Sequence, residues 1–404
     1  MIRNRTALFC AATALLAAAT VPGTAAAVTT LAPREVQPCV RSPHPVDGPG
    51  SRVLETVRQA KKDLDLKSVL VRVTVDGHEL VTDAFGESMT GVPAEPGMHF
   101  RAGSMAFPFM TNALLQLVEE GKVGLDDPIA RWLPDAPHAD RITLRMLGAT
   151  TSGLHDYVTD PDFQAQLEAE PFRHWTPEEL VGIAAGHPLW YKPGTNWSYS
   201  HANFVLLGAA LEKITGTRLD QLLEQRVTGP LGLRDTQNNF TPDIPGPVLH
   251  AFTSERGTYE ESTFWNPSWT TGPGAVITTH ICDLARSAEA IGTGKLLSPS
   301  SFRTQLDPGT VGLGGPTDKC PPTACLPDFN TESNHFGLGL IVANDWIVEN
   351  PSFSGYAAIE AYYPEQRVAI AVATTENCDT PDGNTAEVIA KQVSAVLVPD
   401  HPLK

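Results

Sequence analysis

Apolar residues recur on a helical stripe from Val53 to Leu66, then alternate with polar ones from Val69 to Val75. Asp76-Gly77 follows, a pair suited to a two-residue turn with positive φ. His78 to Ala84 resumes the alternation, so a helix feeding a β-hairpin is expected. Near the other end, Gly337 to Val342, Ala357 to Tyr363 and Val368 to Thr374 read as strands, and Thr385 to Leu397 as a helix. Strands at both ends with helices between them imply one sheet completed by both termini. From about Asp126 to Thr270 the pattern is helix and loop. Thr176, Pro177, Glu178 and Glu179 open a helix there, because the Thr hydroxyl and the Glu three residues on satisfy each other's backbone N–H groups. Phe240 to Pro273 and Asp307 to His335 lack periodicity and fit walls or lids better than compact connections. The expected class is α/β plus an all-α lobe, with a discontinuous sheet domain (residues 51–125 and 271–398), an inserted helical lobe (126–270) and a preceding linker (28–50).

The 404 residues, 42% apolar and 19% charged, bury a large core. A formal net charge of -17 excludes nucleic acid and anionic membrane surfaces as partners, since both need a basic face. Arg3 and Arg5, the apolar run Ala7 to Val21 and Ala25-Ala26-Ala27 read as a secretory signal peptide (1–27) cleaved after Ala27, and no segment reads as a membrane span. Export as a secreted, monomeric chain leaves Cys39, Cys282, Cys320, Cys325 and Cys378 in an oxidising compartment, one of them unpaired. Cys320 and Cys325 flank Pro321-Pro322, so a small local disulfide is expected rather than a metal site, which lacks a second His or Cys pair at zinc spacing.

Phe100-Arg101-Ala102-Gly103-Ser104 precedes an apolar helix, then Leu125-Asp126-Asp127-Pro128. Thr151-Ser152-Gly153-Leu154, Lys192-Pro193-Gly194, Trp197-Ser198-Tyr199-Ser200, Pro230-Leu231-Gly232-Leu233, Gly337-Leu338-Gly339-Leu340 and Gly355-Tyr356 follow in order. From about Arg52 to Leu397 the chain resembles the class C β-lactamases and secreted D-alanyl-D-alanine carboxypeptidases. The resemblance implies a β-lactamase/transpeptidase-like fold, an antiparallel sheet flanked by helices beside a helical lobe, with a small-molecule site in the cleft between them.

That family attacks a carbonyl with a Ser, beside which a Lys three residues on shares a helix face. Ser104 is present, but the Lys position is Phe107, which neither takes a proton nor carries charge. The family's Tyr-x-Asn is Tyr199-Ser200-His201; without the cation, forming the Tyr199 phenolate at neutral pH costs roughly 4 kcal/mol. Counting back from Gly355-Tyr356, the family's His- or Lys-Thr-Gly is Glu349-Asn350-Pro351. An acid at that position repels substrate carboxylates, and Pro351 donates no N–H to a bound peptide.

The catalytic candidates are therefore Ser104, Tyr199, His201 and Glu349. His201 reaching Ser104, with Glu349 orienting the imidazole, would make a Ser-His-Glu relay. Against it stand plainer readings: Ser104 as a helix cap, Phe107 as core, Tyr199 as a wall, and His201 and Glu349 as drift in an unused cleft. A hydrolase would need Ser104 with Tyr199 or His201 as base and backbone N–H groups near Ser104 and Ser352 as oxyanion hole. Neither cofactor nor metal is implied, and Gly312-Leu313-Gly314-Gly315 lacks the strand and Lys of a phosphate loop. Asn196-Trp197-Ser198 fits a glycosylation pattern. Trp190, Trp197, Trp265, Trp269 and Trp346 are cleft-lining candidates, with core packing the default.

Overall fold

A helix, α1 (Gly48–Asp63), comes first in the computed structural model, which describes residues 38–404; the signal peptide and residues 28–37 of the linker lie outside the described residues. Val53, Leu54, Val57 and Ala60 form its buried stripe, Pro49 sits in its first turn, and Lys61 and Lys62 face the negative end of the helix dipole. It ends earlier than its apolar pattern, because Asp65 takes a positive φ of 46° and Leu66 already belongs to the first strand.

The hairpin β1 (Leu66–Val75) and β2 (His78–Met89) turns through Asp76 and Gly77, whose φ values of 51° and 73° suit the primed turns of twisted hairpins. The rest of the sheet comes from the far end of the chain: β3 (Asn334–Phe336), β4 (Ile341–Ala343), β5 (Trp346–Glu349), β6 (Tyr356–Tyr363) and β7 (Val368–Glu376). The spatial order is β2-β1-β7-β6-β5-β4-β3, every pairing antiparallel, with Val92–Pro93 beyond β2 and Ser352–Phe353 paired to β6. Both ends of the chain thus complete one sheet.

The expected strand Gly337 to Val342 is corrected. Residues 337–340 bend between β3 and β4, with Gly339 at φ 66°. A Cβ there would stand 2.7 Å from the Phe107 carbonyl oxygen, so the bend lets backbone meet backbone beside the helix that follows Ser104.

All of β6 is buried. Its Ala357, Ile359, Ala361 and Tyr363 join α1 and the C-terminal helix Thr385–Leu397 in one core. By strand alternation Ala358, Glu360 and Tyr362 face the other way, where helix Ile281–Gly292 and the larger core lie. That larger core holds α2 (Ala106–Glu119), α3 (Pro177–Ala185) and α4 (His201–Thr215), and α3 opens with the expected capping box.

Cys320 pairs with Cys325 as expected, Cys39 pairs with Cys282, and Cys378 is the exposed free thiol. The Cys39–Cys282 bridge spans 243 residues and removes much freedom from the unfolded chain. Cys282→Ser is expected to lose about 2–4 kcal/mol of unfolding free energy. Urea midpoints check this: the variant and parent should converge once the parent is reduced, and midpoints that already coincide without reductant would refute it.

Candidate active site

Ser104 occupies a 3-10 turn, Gly103–Met105, that runs directly into α2. Its hydroxyl caps neither the turn nor the helix, which removes the helix-cap reading. Three residues on, the Phe107 ring is 2% exposed and lies flat on Phe204 of α4, with centroids 3.6 Å apart and planes 7° apart. It also tilts against Tyr199 at 6.3 Å. The lysine position is thus filled by an aromatic stack. Of the lysines near this end of the sheet, Lys61 donates to the Leu66 carbonyl and Lys67 lies over the Phe252 ring.

Glu349 ends β5 and is 4% exposed. Its direct partner across the ladder is Glu360 of β6, also buried. Burial first, and the Glu360 charge second, push the Glu349 carboxyl well above the usual carboxylate range, while the Ser104 side chain beside it eases the shift. Burial pushes Glu360 up to about 8. Two carboxyls side by side away from water cannot both ionise near neutrality. The Glu349–Glu360 pair therefore favours holding a proton close to Ser104.

Tyr199 precedes α4 and is half-buried. Burial raises its phenol well above the ordinary value, and the Asp156, Glu349 and Tyr157 charges raise it further. Every charged group acting on it is acidic, the reverse of what an adjacent lysine would impose.

His201 is the first residue of α4. Its Nδ1 lies 3.1 Å from both carboxylate oxygens of Asp156, and its backbone N–H donates to the same Oδ1 at 3.2 Å. In the neutral ring the proton then sits on Nδ1, leaving a lone pair on Nε2. The ring meets Tyr199 edge-on at 5.0 Å, with Tyr157 at 5.9 Å and Trp269 at 6.2 Å. Tyr157 is fixed by donating its hydroxyl to the Trp269 carbonyl at 2.6 Å. The expected Ser-His-Glu relay is corrected: Asp156, not Glu349, orients His201, and no hydrogen bond joins His201 to Ser104 among the described residues. Glu349 bears on Ser104 instead.

Asp156 and Glu360 were not among the sequence candidates. Asp156 lies 45 positions from His201, so no local spacing ties them. Glu360 had a signal: a lone carboxylate inside an apolar strand, a residue type rarely buried without purpose.

Among the tryptophans, Trp269 reaches His201 and stacks on Phe353 at 5.9 Å, and Trp190 packs on His155 at 4.5 Å. Trp197, Trp265 and Trp346 are core. Asn196 accepts from the Gly314 N–H at 2.7 Å and donates to the Gly315 carbonyl at 3.1 Å, so the glycine-rich loop is fastened to the segment that leads into Tyr199. Buried there, Asn196 presents no glycosylation site.

An antiparallel sheet, a serine at the head of a buried helix and a tyrosine against the first turn of that helix define a serine β-lactamase or penicillin-binding-protein type of molecule. The family model Beta-lactamase matches residues 53–394, and the chain belongs to that family. Esterase EstB of Burkholderia gladioli is 32% identical over 190 residues, covering 44% of this chain and 48% of that protein. The D-alanyl-D-alanine-carboxypeptidase/endopeptidase AmpH of Escherichia coli is 30% identical over 188 residues, covering 46% and 48%. The chain spans about half the length of these curated relatives. The solved D-stereospecific amidohydrolase from Streptomyces sp. superposes with a TM-score of 0.70 at 24% identity over 85% of this chain and 98% of that one, a likeness of fold.

Proposed function

We propose that this chain is an exported family member that has left penicillin-type acyl-serine chemistry and uses its cleft for acid–base work on a small molecule, acting as a monomer. The observation that carries the reading is the Phe107–Phe204 stack where the amine would be, together with the Asp156-oriented His201 imidazole edge-on to Tyr199. In this reading His201 Nε2 is the base, Asp156 positions its ring, and neutral Glu349 is the acid, with the Ser104 and Tyr199 hydroxyls as hydrogen-bond donors. Isomerisation, cyclisation and elimination are the reactions such a set serves, and none needs a metal or organic cofactor. The two disulfides are compatible with an extracellular setting.

The second reading is a working serine hydrolase, favoured by the names of the relatives and by Ser104 lying against Glu349. Loss of a proton-transfer group costs about 100- to 10,000-fold, which weighs against it. Incubating the purified chain with a fluorescent penicillin and a fluorophosphonate, followed by mass spectrometry, decides between them. No adduct on Ser104 is expected. An adduct that disappears in Ser104→Ala would replace the first reading with the second.

A further inference from the structure

A concavity of about 580 Å³, the size of a small-molecule site, lies between two elements that the chemistry at Ser104 does not use. One is the strand Gln237–Asn239, which pairs with Val276–Thr279 on one side and leaves its other edge open. Val276–Thr279 pairs in turn with Phe100–Arg101, the strand that runs into Ser104. The other is a π-turn, Glu224–Thr228, closed by the Gly229 N–H donating to the Glu224 carbonyl. A Cβ at Gly229 would stand 2.7 Å from that oxygen, so glycine permits the wide turn. Gln116 of α2 donates to the Arg226 carbonyl at 3.1 Å, and Arg226 pairs with Glu120 at 2.7 Å, which fastens the turn to the helix after Ser104. Wide turns of this kind interrupt helices chiefly at functional sites.

Five polar side chains of the lining, those of Glu224, Thr228, Arg234, Gln237 and Asn238, make no hydrogen bond or ion pair among the described residues. Thr228 is 3% exposed, and the Asn238 Oδ1 is buried without a partner, a costly state for a polar group. The charges of the lining cancel: Glu224 stands against Arg234, and Asp220 is held by Arg218 at 2.8 and 2.6 Å. Phe240 follows the open strand with an exposed ring. Its tip and the Asp220 nitrogen each lie 2.9 Å from where a Cβ on Gly274 would be, which sets the ring at the margin of the concavity, with Arg218 over it at 4.8 Å.

We propose that this concavity binds an uncharged saccharide, as an anchoring site apart from the chemistry at Ser104 and His201. A carboxylate only accepts hydrogen bonds, a guanidinium only donates them, and amides and hydroxyls do both. A sugar carries neighbouring hydroxyls that each donate and accept, so one ligand satisfies all five groups without bringing a charge. The C–H face of a sugar ring covers an exposed aromatic ring such as Phe240, since both are apolar. An anion or a cation would match one member of the Glu224 and Arg234 set and oppose the other. An amino-acid zwitterion would engage both charges and leave Thr228, Gln237 and Asn238 unpaired. The inference goes beyond the acid–base reading and does not depend on it.

Ligand-observed NMR titration of the full chain with maltotriose, cellotriose and triacetylchitotriose tests this. At least one trisaccharide should saturate with a Kd of about 1 mM or tighter. Gln237→Ala and Phe240→Ala, both at exposed side chains where the fold tolerates change, should each weaken it roughly threefold to tenfold. Asn238→Leu should weaken it further, and Ser104→Ala should leave it unchanged. Failure of all three sugars to saturate by ~20 mM, unaltered affinity in Gln237→Ala and Phe240→Ala, or displacement of the sugar by glycine would each overturn the proposal. Loss of sugar binding in a folded Ser104→Ala would move the sugar to the cleft and overturn it as well. The acid–base reading is decided separately, by whether fluorophosphonate labels Ser104.

Discussion

Phe107→Lys is expected to cost about 3–5 kcal/mol of folding stability and to leave Ser104 unlabelled by penicillin. The ring lies flat on Phe204 with centroids 3.6 Å apart in a core that is almost wholly shielded from water, so its loss removes both the stack and the filled volume. An ammonium placed there needs acceptors. The amide that the family supplies is here His201, whose Nδ1 is committed to Asp156. Glu349 is the remaining acid near Ser104, and a buried ion pair with it returns little beyond its own desolvation cost. The variant should therefore be destabilised by urea titration and inert toward a fluorescent penicillin. A Phe107→Lys protein as stable as the parent and acylated on Ser104 would show that the site stands one substitution from ordinary acyl transfer, and the acid–base reading would fall with it.

Position 107 also marks how far sequence carries. Ser104, Phe107, Tyr199, His201 and Glu349 were found by counting along motifs, because each motif is local and short helices or strands fix what a spacing means. The Thr176 capping box and the Cys320–Cys325 bridge were legible for the same reason. Partnerships across the fold were not. Motif order sets Glu349 with His201, the more familiar relation, whereas strand register sets it opposite Glu360 and a loop 45 residues upstream supplies the acid for His201. The mistaken strand at Gly337 has the same root. Alternating Gly and Leu satisfies a strand pattern, but the close approach of Gly339 to the Phe107 backbone, a contact across more than 200 residues, bends it. Local pattern specifies elements; which side chains converge depends on register and close approach.

The Glu349–Glu360 pair leads to the second large effect: Glu360→Gln should make the protein more stable above neutral pH by several kcal/mol, while leaving it nearly unchanged near pH 4. Burial holds the Glu360 carboxyl at about 8, against an ordinary value of 4.5. Between those values the folded chain retains a proton that the unfolded chain has released, so stability is full below about 4.5 and declines as pH rises to about 8. At about 1.4 kcal/mol per pH unit the decline attributable to this one group is on the order of 5 kcal/mol. Glu349 adds a decline of the same sign, since burial and Glu360 raise it too. The Gln side chain keeps the shape and cannot ionise, so urea midpoints of the parent and variant measured from pH 4 to pH 9 should diverge upward, with parallel curves refuting the buried pair. The same substitution removes the charge that opposes Glu349, which then ionises at lower pH. The stability of the sheet is thereby tied to the charge beside Ser104 through one pair of neighbouring strands.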